Sequence, residues 1–219
     1  MARIILLASV VWVLSCCGLA NAATINFNTL PGPNMSPFTT FSEAGFTVTT
    51  TAGSPQEGTV FGNPEPSIII AGPVFSPVTG AVQVTRMGGG DFTFSSVDLA
   101  SNNGPDSTFL ITGLLDGHQQ FRFPNTGTGT VTSGPNGMGD YFFTTEINPH
   151  NTTPIDALDI SVSPGSPDVT SDNLDNIVVD PVQESVSEPS TMVLLVSALC
   201  IGAVALRRRA PRWGQAPGS

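Results

Sequence analysis

The run Phe92-Thr93-Phe94-Ser95-Ser96-Val97-Asp98-Leu99 decides the fold class. In an extended chain successive side chains alternate sides, so Phe92 and Phe94 point one way and Thr93 and Ser95 the other. Leu158, Ile160 and Val162 repeat the pattern, with Asp159 and Ser161 on the wet side. This alternation belongs to antiparallel sheets packed on one face and solvated on the other. Short β-branched and aromatic stretches continue it in both directions. They predict strands over residues 24–28, 46–50, 67–71, 81–86, 92–99, 108–114, 119–123, 141–145, 157–162 and 175–179. Helical periodicity of useful length is missing between residues 23 and 181. The expected architecture is all-β, an antiparallel β-sandwich or jelly roll. Asp116-Gly117 marks a tight hairpin, and Gly88-Gly89-Gly90 and the stretch 133–137 mark loops. Residues 125–139 read as either a surface loop or an edge strand.

The ends of the chain differ from its middle. Residues 1–22 read as a secretory signal peptide that forms a signal helix. Arg3 supplies the positive region, Ile4 to Leu14 the apolar core, and Ala20-Asn21-Ala22 the small-x-small cleavage site, so signal peptidase is expected to leave Ala23 first. A lipoprotein reading on Cys16 is the weaker alternative. At the other end Met192 to Leu206 carries no charge and is followed by Arg207-Arg208-Arg209. As a helix, residues 191–206 would be roughly 24 Å long at about 1.5 Å per residue, short against a bilayer core of about 30 Å. Arginines are costly in hydrocarbon and stay cytoplasmic. The expected organisation is therefore a signal peptide (1–22), an exported domain (23–181), an acidic linker with a sorting motif (182–190), a transmembrane helix (191–206) and a basic cytoplasmic tail (207–219).

Composition excludes several functions. Of the seven basic residues, all arginines, only Arg86 and Arg122 lie inside the exported domain, while all 17 acids fall between Glu43 and Glu188, a net charge of −15 over that part. Such a surface repels phosphate backbones, so no nucleic-acid partner is expected. Cys16, Cys17 and Cys200 all lie outside the domain, which leaves it without a disulfide, a thiolate metal site or a cysteine nucleophile. Lysine is absent, and with it amine-based covalent chemistry.

Ser187-Glu188-Pro189-Ser190-Thr191, the apolar run after it and the Arg207–Arg209 stop resemble the PEP-CTERM sorting signal of Gram-negative bacteria. The resemblance implies handling by a membrane-embedded exosortase. It also implies a setting at the cell surface or in the exopolysaccharide of a biofilm, after anchoring in the inner membrane. Residues 92–101, Ile111-Thr112-Gly113, Asp116-Gly117 and Leu174-Asp175-Asn176-Ile177-Val178-Val179 look like a common ectodomain of such proteins. That ectodomain is a sandwich similar to galactose-binding-like and carbohydrate-binding-module jelly rolls. In related jelly rolls the residue after the first-strand Phe is often an acid that binds calcium; here it is Asn28.

One polar cluster stands out: Asp168, Asp172, Asn173, Asp175 and Asn176. Calcium takes six to eight hard oxygens, and an Asp-rich loop entering a strand offers several. The expected ligands are Asp175 with help from Asp172 or Asn176; the competing reading is a turn whose Asx residues cap their own backbone. His118 and His150 read as exposed surface residues, too few for a zinc site. Asp156 and Asp159 point to opposite faces if both lie on a strand, which does not suit paired glycosidase carboxylates. Trp12 and Trp213 lie outside the domain and Tyr141 is the lone tyrosine, so sugar-stacking rings are few. The expectation is a non-enzymatic surface or matrix protein. A lectin-like carbohydrate-binding module is the alternative, and an extracellular hydrolase the weaker one.

Overall fold

The computed structural model describes residues 22–60, 66–71, 78–102, 106–131, 143–165 and 171–182. The chain divides after Val182, and all described residues belong to the first unit. The expected signal helix, Ala20, the sorting motif Ser187–Thr191, the transmembrane run and Arg207–Arg209 lie outside them; Ala22 and Ala23 lie within. Among the described residues no helix is long and apolar enough to cross a membrane.

Thirteen strands follow one another among these residues: β1 Ala23–Ile25, β2 Thr40–Glu43, β3 Phe46–Ala52, β4 Gln56–Gly58, β5 Ser67–Ala71, β6 Gly80–Arg86, β7 Phe92–Asn102, β8 Ser107–Leu115, β9 His118–Phe123, β10 Gly129–Val131, β11 Thr144–Ile147, β12 Ala157–Ser163 and β13 Ser171–Pro181. They form two sheets. The six-stranded sheet runs β11-β7-β13-β5-β4, with β1 also paired to β13. The seven-stranded sheet runs β10-β8-β12-β6-β3-β2, with β9 also paired to β8. All pairings are antiparallel.

The alternation read from Phe92 and Phe94 is what builds the core. Phe92, Phe94, Val97 and Leu99 of β7 pack on Val82 and Val84 of β6, Ile111 of β8 and Leu158, Ile160 and Val162 of β12 in one buried cluster. Phe46 of the seven-stranded sheet meets Phe92 of the other edge to face, with ring centroids 5.2 Å apart at 76°. Each such side chain contributes about 1.5–3 kcal/mol on burial, and with no cysteine in this domain packing has to carry the fold.

The Asp116-Gly117 hairpin forms as expected, with φ of 52° and 73° joining β8 to β9. Ala44-Gly45 has the same left-handed shape, 52° and 83°, between β2 and β3. Alanine gives no signal for that turn, so β2 is not visible in the sequence. β4 is too short to show. For residues 125–139 the edge strand wins in part: Gly129–Val131 pairs with Ser107–Phe109 of β8. Gly113 has a packing reason, since a Cβ there would collide with the Phe121 ring lying over it. The main correction concerns 171–174. The expected loop there is strand, because β13 begins at Ser171, ahead of the strand expected from Asp175, and is central, paired to β7 along its length and to β5 and β1 on its other edge.

Candidate functional site

The start of β13 at Ser171 separates Asp172 from Asp175 among the expected calcium ligands. Leu174 faces the core opposite Leu99, so Asp172 shares its face and Asn173 and Asp175 take the other. Asp172 is fully buried beside Ser101 and Ser107, whose hydroxyls lie 3.3 Å from each other. Burial pushes its carboxyl up to about 6, which Ser107 and Ser101 partly offset as neighbouring hydroxyls. In this geometry the two hydroxyls align with each other and both Asp172 oxygens lack a hydrogen bond. A protonated carboxyl is the form such a site favours.

Asp175 lies opposite Asp98 of β7 on the sheet face away from the core. Asn176 links the two: its backbone N–H donates to Asp175 Oδ1 at 2.8 Å and its side-chain amide to Asp98 Oδ2 at 2.9 Å. The Thr145 hydroxyl donates to Asp98 Oδ1 at 2.6 Å. Burial pushes the Asp175 carboxyl up to about 7; the Asn176 N–H opposes this, while Asp98 and Glu43 add to it as like charges. Glu43 itself is anchored, with Oε2 accepting the N–H groups of Asn26 at 2.8 Å and Phe27 at 3.0 Å. Asn176 has φ of 44°, a left-handed conformation that asparagine tolerates. Its amide presents nitrogen to Asp98, and Asp172 is on the other face. Asp172 therefore lies apart from Asp175 and Asn176, whereas a calcium shell wants six to eight oxygens. Among the described residues no group of three or more His, Cys, Asp or Glu is arranged to hold a metal.

The other expected positions are dispersed. Asp156 precedes β12 and accepts the Asp116 N–H at 2.8 Å, while Asp159 accepts from Gln83 Nε2 at 2.9 Å. His118 is exposed, as expected. His150 is not a plain surface residue: its ring stacks on Phe121 at 5.7 Å and 17°, and its Nε2 lies 2.9 Å from Asn125 Oδ1.

The seven-stranded sheet carries a feature that no single segment of sequence announces. Its outward face holds a continuous cross-strand row, Thr40–Thr49–Gln83–Asp159–Thr112–Arg122, each residue opposite the next on β2, β3, β6, β12, β8 and β9. None of the six is buried. Ser42, Thr47 and Thr85 form a parallel row beside it on β2, β3 and β6. Neighbouring hydroxyls meet at 3.1 Å for Ser42 and Thr47 and 3.5 Å for Thr40 and Thr49. At roughly 4.8 Å per strand the six-residue row spans about 24 Å. It carries one acid and one base, so it is neutral on a strongly acidic domain. Asp159 and Ser161 are readable as wet positions from alternation alone; their alignment with Thr49, Thr112 and Arg122 depends on register.

No protein-family model matches the chain, and no curated protein matches it. Solved structures similar to it include CBM29_1, a family 29 carbohydrate binding module from Piromyces equi. That similarity has 11% sequence identity, covers 75% of this chain and 93% of that chain, and has a TM-score of 0.42. A mutant of CBM29-2, made to probe ligand recognition by family 29 carbohydrate binding modules, is similar at 17% identity, 74% and 91% coverage and a TM-score of 0.33. Neither score reaches the level at which one fold is assigned from another.

Proposed function

We propose that this protein is an exported, non-catalytic surface or extracellular-matrix protein, with a jelly-roll ectodomain that holds polysaccharide on the open face of its seven-stranded sheet. The observation that carries the reading is the row from Thr40 to Arg122. Hydroxyl, amide and carboxylate groups succeed one another at the strand spacing, in a line perpendicular to the strands. An extended sugar chain offers hydroxyls at about one unit per strand spacing. The face is neutral, so an uncharged chain meets no repulsion there. Among the described residues it lacks aromatic platforms, and each hydrogen bond formed in exchange for water nets only about 0.5–1.5 kcal/mol. The expected single-site dissociation constant is therefore on the order of millimolar, about −4 kcal/mol, with avidity among many copies supplying retention in a matrix.

Affinity electrophoresis of the exported chain in gels containing neutral polysaccharides tests this. Retardation that Gln83→Ala or Thr112→Ala abolishes supports the row as the site. Equal mobility with and without every polysaccharide would overturn it. The surface or matrix setting rests on the two terminal signals. It includes anchoring by residues 191–206 and processing by signal peptidase and an exosortase. Intact mass of the exported protein tests that half: a chain starting at Ala23 and lacking Arg207–Arg209 is expected, and one that retains them reduces the tail to a membrane anchor.

A further inference from the structure

The row does not stop at open solvent on its β2–β3 side. Thr49 belongs both to the row and to the wall of a cleft of about 590 Å³, within the usual size of small-molecule sites. Thr39, next to the first residue of the row, lines it too, with Ser54, Gln56 and the rings of Pro37 and Pro55. The cleft forms because the chain turns at Gly53, φ 74°, and folds β4 back against the segment before β2. Phe38 N–H donates to Pro55 O at 2.9 Å, Glu57 N–H to Ser36 O at 2.9 Å, and the Thr50 hydroxyl to Phe38 O at 2.8 Å. The framework is therefore bonded, while Gln56 Oε1 has no partner. Among the described residues no charged side chain lines the cleft. The nearest acid in sequence, Glu57, is engaged elsewhere, its Oε2 accepting the Gly32 N–H at 2.6 Å.

We propose that this cleft receives the terminal unit of the bound chain, whose following units lie along the row towards Arg122. The proposal rests on the polysaccharide reading above and adds that the ligand is held by an end rather than by an internal stretch. The lining sets the chemistry of that end. Hydroxyl and amide groups with two proline rings suit a neutral sugar, and an acidic terminal sugar finds no cation there. A chain crossing the row alone could slide from one strand spacing to the next, since threonines recur; a cleft at one end that seats one terminal unit fixes its register.

The test uses the exported chain and neutral hexasaccharides of β-linked glucose and of β-linked N-acetylglucosamine, each free, capped at the reducing end, or capped at the non-reducing end. Binding is followed by NMR titration. One cap is expected to weaken binding about tenfold and the other to leave it unchanged. Ser54→Phe, at an exposed position on the cleft wall, is expected to weaken the free hexasaccharide by the same factor without lowering the melting temperature. If both capped forms bind as the free one does, and Ser54→Phe binds as the parent does, end recognition is overturned while the row survives as an internal-chain site. If no hexasaccharide binds in any form, the polysaccharide reading fails and the cleft proposal with it.

Discussion

Each sheet turns a polar cross-strand row away from the core, and the two rows have opposite fates. On the six-stranded sheet Thr145, Asp98 and Asp175 lie in line, and the row goes from exposed at Thr145 to 1% exposed at Asp175. Asn173 beside it is fully buried, its amide donating to Ser67 Oγ at 2.7 Å. On the seven-stranded sheet the row from Thr40 to Arg122 stays accessible throughout. The residue types overlap, so type does not decide the role; solvent does. Where water is excluded, a carboxylate is expensive, its pKa rises and its hydrogen bonds become structural. Where water remains, the same groups are cheap to place and free to exchange it for a ligand.

The largest expected effect is the pH dependence of stability. The Asp172 and Asp175 carboxyls are raised to about 6 and about 7 in the folded chain. Folding therefore favours their protonated forms. The stabilisation is complete below the ordinary carboxylate range and is lost as pH rises through 6 and 7. The domain should lose on the order of a few kcal/mol between pH 4 and pH 8, read as a falling denaturation midpoint, and Asp175→Asn should flatten the upper part of that fall. A midpoint that rises over this range would break the contrast between the two faces.

Next in size is Asn176→Ala. It removes the amide bond to Asp98 and puts alanine at a φ of 44°, so urea denaturation should show a loss of about 2–3 kcal/mol. Thr112→Ala and Gln83→Ala on the open face should stay within about 0.5–1 kcal/mol of the parent in the same assay. An open-face variant as costly as Asn176→Ala would mean that this row, too, is structural. Smallest is calcium. With Asp172 and Asp175 on opposite faces, melting in millimolar calcium and in chelator should give the same temperature. A rise of several degrees that Asp175→Asn abolishes would turn the closed row into a cation site.

Local pattern carried the fold and little of the site. Phe92-Thr93-Phe94 and Leu158-Asp159-Ile160 are long enough for alternation to name both the strand and its wet face. β2 was invisible because its turn uses Ala44 at φ 52°, a conformation alanine disfavours. The stretch from Ser171 to Leu174 misled for a different reason. Asx residues favour turns, and tertiary pairing to β7 and β5 overrode that preference. The open row is assembled from six strands, so no window of sequence contains it. Gln83 and Asp159 are 76 residues apart and meet only through register.

β13 is the centre of the six-stranded sheet and also the strand by which the chain leaves the domain, at Pro181 and Val182. Pulled from that side, it is loaded along its own axis. Its ladder to β7 runs from Ser171 opposite Asn102 to Pro181 opposite Phe92, so many backbone bonds resist sliding together. Arg86 adds a clasp at the exit, donating to Val182 O and Asp91 O at 3.4 Å. On the domain's first strand, β1 joins β13 through Ala23 to Ile25, and the Glu43 carboxylate holds the N–H groups of Asn26 and Phe27 just beyond it. Tension applied through the last strand therefore meets a ladder from Ser171 to Pro181, and tension applied through the first meets three pairs and one carboxylate clasp.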